Sequence, residues 1–262
     1  MAQIHGTEEE KKHYGRAFYA SETEASVRCA REMVPIILDY VKPKSVVDFG
    51  CGVGAFLAAF REFGINEILG IDGSWIDKNS LIIPHGSFMC ADLKEPISLT
   101  QEYDLAISLE VAEHIPEECA DIFVDSLTRA APIIVFSAAI PLQGGERHIN
   151  EKWQDYWAQK FKKHGYIAID CIRKGIWKNR NVDFYYAQNT ILYAKKDILK
   201  DNPRLNKEAR ACSQEMLSLV HPDLFLRRSG LRGAAVSLVP SRLKSLIPPH
   251  IQRGIFNFLF RR

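Results

Sequence analysis

The chain contains no C-x-x-C pair, no apolar run long enough to cross a bilayer, no internal repeat and no low-complexity stretch. Its six cysteines (29, 51, 90, 119, 171 and 212) are scattered, which excludes the spacings of a zinc knuckle or a disulfide scaffold. Several fall in apolar runs, so buried reduced thiols are expected. No stretch approaches the roughly 20 apolar residues of a transmembrane helix. The first ten residues, Met1 to Glu10, are polar and acidic and lack the pattern of a secretory signal. Together these absences imply a cytoplasmic protein. Net charge is also scarce, at +2, and it is unevenly placed. Residues 221–262 hold eight Lys/Arg and one acid, leaving the rest of the chain mildly acidic. An acidic body argues against a nucleic-acid enzyme.

What is present is an ordinary globular composition, 47% hydrophobic and 25% charged over 262 residues. That suits one large domain or a domain with an appendage. The pattern divides the chain into an N-terminal lid and helix (1–42), a core (43–200) and a helical basic appendage (201–262). A helix is expected from about Ser21 to Tyr40, stopped by Pro43. Strand-like segments follow at Ser45–Phe49, Glu67–Ile71, Ser87–Cys90, Tyr103–Ser108, Ile133–Ser137 and Ile167–Cys171. Helices are expected at Ala55–Phe63, Pro116–Ala130 and Glu151–His164, with Asn150 as N-cap of the last. Val182–Ala194 reads as an apolar β-rich stretch, and Asn202–Leu219 as helical. This alternation predicts an α/β protein: a Rossmann-like doubly wound sheet, mostly parallel with an antiparallel edge, and helices on both faces.

Residues 46–57 carry the most information: Val-Val-Asp48-Phe-Gly50-Cys51-Gly52-Val-Gly54-Ala-Phe-Leu. A strand that turns through alternating glycines into a helix lets backbone N–H groups approach a ligand closely. Gly50 to Ala55 also fits the dinucleotide fingerprint G-x-G-x-x-A, and Asp72 lies at the distance expected of a ribose-binding acid in either case. Asp48 separates the two. An acid two residues before the first glycine suits a ligand bearing an ammonium and a sulfonium, and is poorly placed beside a pyrophosphate. The stretch resembles the cofactor loop of class I S-adenosylmethionine-dependent methyltransferases. That resemblance implies S-adenosyl-L-methionine as cofactor, with Asp48, Gly50, Cys51, Gly52 and Gly54 along its methionine part. It further implies Asp72 and Gly73 at the ribose, Asp92 and Leu93 at the adenine, and Leu109 and Glu110 after the fourth strand. An NAD-dependent oxidoreductase remains the competing enzyme class, although no hydride-transfer constellation is visible. A non-catalytic S-adenosylmethionine-binding regulatory protein is the other alternative.

Two further segments bear on the chemistry. Asp104-Leu105 through Glu110-Val-Ala-Glu113-His114 resembles the D-L-x-x-x-x-E-V-x-E-H segment of small-molecule methyltransferases. His148-Ile-Asn150, followed by Tyr156-Trp157, Phe161 and Gly165-Tyr166, resembles methyltransferases of bacterial glycan and natural-product pathways. The implied acceptor is a small hydroxylated molecule such as a sugar or glycan precursor. A hydroxyl needs its proton removed, and histidine is suited to that. His148, on a loop made mobile by Gly144 and Gly145, is preferred as base over His114. Asp72, His114 and His148 have no compact ligand spacing, so no metal is expected. Glu110 and Glu113 read as loop organisers. Tyr14, Phe18 and Tyr19 read as a lid. The aromatics at 153, 156, 157 and 161 have helical spacing and read mostly as core. The apolar-basic tail leaves three partners open: an anionic membrane surface, a second copy in a homodimer, or its own domain.

Overall fold

The computed structural model describes residues 16–229, with side chains from Thr23 onward. Tyr14, the side chains of Phe18 and Tyr19, and the tail beyond residue 229 lie outside the described residues. The chain divides into two compact units, Met1–Leu219 and Val220–Arg262.

The first unit is built on strands β1 (Ser45–Phe49), β2 (Glu67–Asp72), β3 (Phe88–Cys90), β4 (Leu105–Leu109), β5 (Ile133–Ser137), β6 (Tyr166–Ile169) and β7 (Ile191–Lys195). Their order is β3-β2-β1-β4-β5-β7-β6. The first five are parallel, with Val47 opposite Leu69 on one side and Ala106 on the other. Strand β7 runs antiparallel to both β5 and β6. The expected antiparallel edge is therefore made by one reversed strand inserted next to the last. Every residue of β1, β4 and β5 is buried, as a sheet covered on both faces requires.

The two-residue alternation of a strand sorts these side chains into two cores. On one face Val46, Leu105, Ile107 and Val135 pack with α1 (Arg16–Tyr40) and α2 (Ala55–Glu62). On the other, Val47, Phe49, Ala106 and Phe136 meet α3 (Ala120–Ala130) and α4 (Gln154–Lys163). Met33, Val34 and Ile37 of α1 are fully buried, and the helix runs through Pro35 to end before Pro43. Of the four aromatics read as core, Trp157 and Phe161 are buried, while Trp153 is exposed and Tyr156 half-buried.

Four local readings differ from the structure. Val182–Ala194 is not one β-rich stretch. After α5 (Ile172–Ile176) the chain forms α6 (Phe184–Asn189) and only then β7. Burial of Tyr186, Gln188 and Asn189 on α6 outweighs the β-propensity of its tyrosines. Asn150 does not cap α4, whose N-cap position is Trp153 with no side-chain cap bond. The Asn150 backbone N–H instead donates to the Glu113 carbonyl at 3.0 Å. The helix expected from Asn202 to Leu219 is reduced to α8 (Pro203–Ala211), capped by Asn202, whose side chain accepts from Leu205 N–H, and it follows a separate short helix, α7 (Ile198–Asp201). Cys90 is exposed rather than buried. In the second unit, α9 (Pro222–Arg228) has Pro222 in its first turn, and the His221 ring accepts from Asp223 N–H. No described helix is long and apolar enough to cross a membrane.

Phe161 stacks on Tyr193 at 4.2 Å between ring centroids and meets Phe136 at 5.3 Å. Phe161→Ala should lower unfolding free energy by about 3–5 kcal/mol, measured by urea denaturation.

Candidate active site

The chain places β2 and β3 to one side of β1 and then returns to lay β4 on the other. Strand order thus reverses between β1 and β4, and in such sheets a crevice opens there, at the carboxyl ends of the strands. A cavity of about 390 Å³ occupies this position, within the range of small-molecule sites. Asp48, the Gly50–Val53 turn, Leu109, Glu110, Glu113, His114, His148, Tyr185 and Tyr186 are among its lining residues.

The glycine turn is shaped by necessity. Gly50, Gly52 and Gly54 have φ of 84°, 54° and 91°, values that L side chains rarely adopt. A Cβ on Gly50 would lie 2.3 Å from Val111 Cγ2, and one on Gly54 2.8 Å from Ile83. At Gly52 no heavy atom lies within 4 Å of that point, so there the backbone is open to a ligand. The turn is pinned to β2: Gly50 and Cys51 N–H donate to the Ile71 carbonyl, and Gly52 N–H donates to Asp72 Oδ2 at 2.7 Å. Asp72 Oδ1 accepts from Gly73 N–H, also at 2.7 Å. Burial pushes the Asp72 carboxyl up to about 6, against the pull of these two N–H groups. Asp48 stands well above the usual carboxylate range, first through burial and then through the charge of Asp72.

Not all expected cofactor positions meet at the cavity. Gly54, Asp72, Gly73, Asp92 and Leu93 are not among its lining residues. The Trp75 ring lies on Gly73, where a Cβ would come within 2.2 Å of it. Asp92 caps a turn through Lys94 N–H at 3.0 Å and pairs with the Lys94 ammonium at 3.3 Å. Leu93 is packed into the second core.

Glu110 has φ 57°, and its backbone N–H donates to Ser137. Its carboxylate accepts from Gln143 Nε2 at 2.8 Å and Asn189 Nδ2 at 3.0 Å. Burial raises its carboxyl pKa, opposed chiefly by those amides. Glu113 is fully buried, and neither carboxyl oxygen has a hydrogen-bond partner. Burial, then the charge of Glu110, holds it well above the ordinary range.

The two histidines, 34 residues apart in sequence, meet edge to face with ring centroids 5.0 Å apart. The loop carrying His148 is anchored at many points, in contrast to the free loop expected from its glycines. Glu151 accepts from Leu142 and Gly144 N–H and from His148 Nδ1. Ile149 and Asn150 N–H donate to the Glu113 carbonyl. The sequence reading named Asp72 as the acid to test beside these histidines. The fold puts Glu113 there instead, with one ligand-capable atom from each of Glu113, His114 and His148 within 4.8 Å of the others. Glu151, Gln143 and Asn189 were missed as supports. Glu151 sits three residues after His148, a local hint, whereas nothing near Asn189 announces its partner Glu110.

The chain belongs to the methyltransferase-domain family, whose sequence model matches residues 23–170. Its fold is similar to that of a candidate O-methyltransferase from Nostoc punctiforme, at 14% identity and TM-score 0.50 over 68% of this chain and 59% of that one. It is similar also to human N-acetylserotonin methyltransferase solved with SAM, at 13% identity and TM-score 0.50 over 68% of this chain and 55% of that one. A chain from the Haloferax volcanii complex of a methyltransferase activator with a candidate methyltransferase matches at 14% identity and TM-score 0.54, over 72% of this chain and 97% of its own. This chain therefore spans somewhat over half the length of the first two. No curated protein matches it at significant similarity.

Two outcomes follow from the turn geometry. Gly50→Ala combines left-handed strain of about 1–2 kcal/mol with a clash costing roughly 1–3 kcal/mol. Chemical denaturation should show that loss, and adding Val111→Ala should restore only the clash part. For Asp72, the unfolded carboxyl titrates near 3.8 and the folded one near 6. Between these values the folded chain keeps a proton the unfolded chain has shed. The stabilisation is full below pH 3.8 and lost as pH rises through 6, a change of about 3 kcal/mol. The stability difference between wild type and Asp72→Asn, measured across that window, should fall by that order as pH rises.

Proposed function

We propose that the chain is an S-adenosylmethionine-dependent methyltransferase that O-methylates a small hydroxylated acceptor of the sugar or glycan-precursor class. The observation that carries this reading is the cavity floor: a buried carboxylate, Asp48, under a turn of three alternating left-handed glycines with open space at Gly52. The fit with the cofactor is chemical. A ligand with an ammonium and a sulfonium supplies the positive charge that buried Asp48 calls for, and a backbone-only wall at Gly52 admits it closely. Cys51 and Leu109 line the same end. Asp72 uses one lone pair of each oxygen on backbone N–H groups, which leaves acceptor capacity for ribose hydroxyls. Glu110 is engaged by Gln143 and Asn189, and it shapes the wall.

S-adenosylmethionine supplies an activated methyl group, so the protein's task is alignment, water exclusion and proton handling. Gln143, Gly144, Glu146 and the two histidines give the far side of the cavity a polar lining that matches a hydroxylated acceptor. With the cofactor bound, its sulfonium would supply the methyl group and keep the electron pair of the broken carbon–sulfur bond, and the cavity lining would hold the acceptor oxygen in line with it. The hydroxyl proton must leave, and His148 and His114 promote that loss. The Nδ1–H of His148 is held on Glu151 and its Nε2 faces Glu113.

Calorimetry with adenosylhomocysteine should show saturable binding that Asp48→Asn weakens at least tenfold, with no heat from NADH. The reverse preference would refute the cofactor assignment. Against a panel of hydroxylated acceptors with labelled methyl donor, the His114→Ala/His148→Ala double variant should lose about 100-fold or more in rate while adenosylhomocysteine affinity stays within threefold. Undiminished transfer would remove the histidines from the chemistry.

A further inference from the structure

Glu113 has no task in the methyl-transfer scheme, yet it is fully buried beside the cleft. Its side chain is 0% exposed and both oxygens lack a hydrogen-bond donor. A carboxylate in that position is strongly unfavourable unless a cation meets it.

The histidines are oriented to match. His148 Nδ1 lies 3.0 Å from Glu151 Oε1, and His114 Nδ1 lies 3.3 Å from the Arg147 carbonyl oxygen. A carbonyl and an ionised carboxylate only accept, so each Nδ1 carries its hydrogen and each neutral ring keeps its lone pair on Nε2. Metal-binding imidazoles are fixed in the same way, one nitrogen donating to a carboxylate or carbonyl and the other free to ligate. His148 Nε2 stands 4.0 Å from Glu113 Oε1. Its ring also packs directly on Gly145, where a Cβ would come within 2.1 Å of Nε2, so the small residue there is what admits the ring.

We propose that Glu113, His114 and His148 form a binding site for one divalent cation, with its open coordination positions facing the cavity. Two imidazoles and a carboxylate favour a first-row ion such as Mn²⁺, Co²⁺ or Zn²⁺ over Mg²⁺ or Ca²⁺, which prefer oxygen ligands. Ligands about 2.1 Å from such an ion stand roughly 3–3.5 Å apart, so the three side chains draw together by about 1 Å on loading. An acceptor hydroxyl bound at an open position would lose its proton more readily, the proton passing to solvent as the carbon–oxygen bond forms. The histidines then promote deprotonation as ligands of the ion. The role of the ion rests on the methyl-transfer reading; the site itself rests on the three side chains.

The test uses the full chain, treated with chelator and titrated with Co²⁺, followed by visible absorption and calorimetry. One equivalent should bind. Glu113→Gln, His114→Ala and His148→Ala should each weaken binding tenfold or more, and Glu151→Gln should weaken it about tenfold through His148. His85→Ala, on an exposed turn away from the cleft, should leave it unchanged. Wild type should gain stability from Co²⁺ in thermal melts, and Glu113→Gln should fail to gain it. Adenosylhomocysteine binding reports separately on folding and on the cofactor reading. No stoichiometric uptake, or uptake indifferent to Glu113→Gln and His148→Ala, would overturn the site. Co²⁺ binding with the stated variant pattern but without adenosylhomocysteine binding would uphold the site and dismiss the methyltransferase reading.

Discussion

The Asp72 carboxylate, fixed between Gly52 N–H and Gly73 N–H, is the contact on which the cofactor end of this protein depends. It joins the turn after β1 to the turn after β2, two loops that share no covalent neighbour. With the Ile71 carbonyl accepting from Gly50 and Cys51, it holds a turn in which every second residue, Gly50, Gly52 and Gly54, is left-handed. Charge-assisted bonds of this length are among the stronger hydrogen bonds in proteins, and here they are buried. Asp48 follows from that arrangement: once the turn is closed over it, its carboxyl is shut away from water and next to a second acid. The positive potential the pocket invites is therefore a product of backbone closure as much as of sequence.

The opposite wall is organised by side chains from distant parts of the chain. Glu110 receives Gln143 and Asn189; Glu151 receives the loop amides and His148. These acids fasten two irregular segments that carry positive φ at Glu110, Leu142 and Arg147. Strained backbone of that kind persists where neighbouring contacts over-determine it, and the contacts here meet at the acceptor side of the cavity.

The parallel core was legible because its signals are local. Val46-Val47, Leu105 to Leu109 and Ile133 to Val135 are β-rich runs bounded by turn residues, and the glycines after Phe49 can hardly be read as anything but a tight turn. Asp48 and both histidines were legible for the same reason, as chemistry-bearing residues at predicted strand or loop ends. What was hidden is long-range. Asn189 meets Glu110 across 79 positions, and no periodicity reports such a pairing. The helix Phe184–Asn189 was obscured because its tyrosines favour strands while tertiary burial favours a helix. Glu113 was visible as an acid, but its lack of any donor is a property of the packed loop alone. Asp92 and Leu93 were legible through a family position, and their local roles, a turn bond from Lys94 N–H to Asp92 and core packing of Leu93, appear only in the fold.

The insertion of β7 between β5 and β6 has a consequence during synthesis. Helix Phe184–Asn189, which brings Tyr185 and Tyr186 to the cavity and Asn189 to the Glu110 carboxylate, is followed directly by β7. At roughly 5–20 residues per second, the ribosome completes the glycine turn and the Glu110 segment several seconds before that strand exists. A nascent chain thus holds an unpaired β5 edge and an open half-pocket until β7 emerges and pairs between β5 and β6. The pocket wall is completed only with translation of that strand.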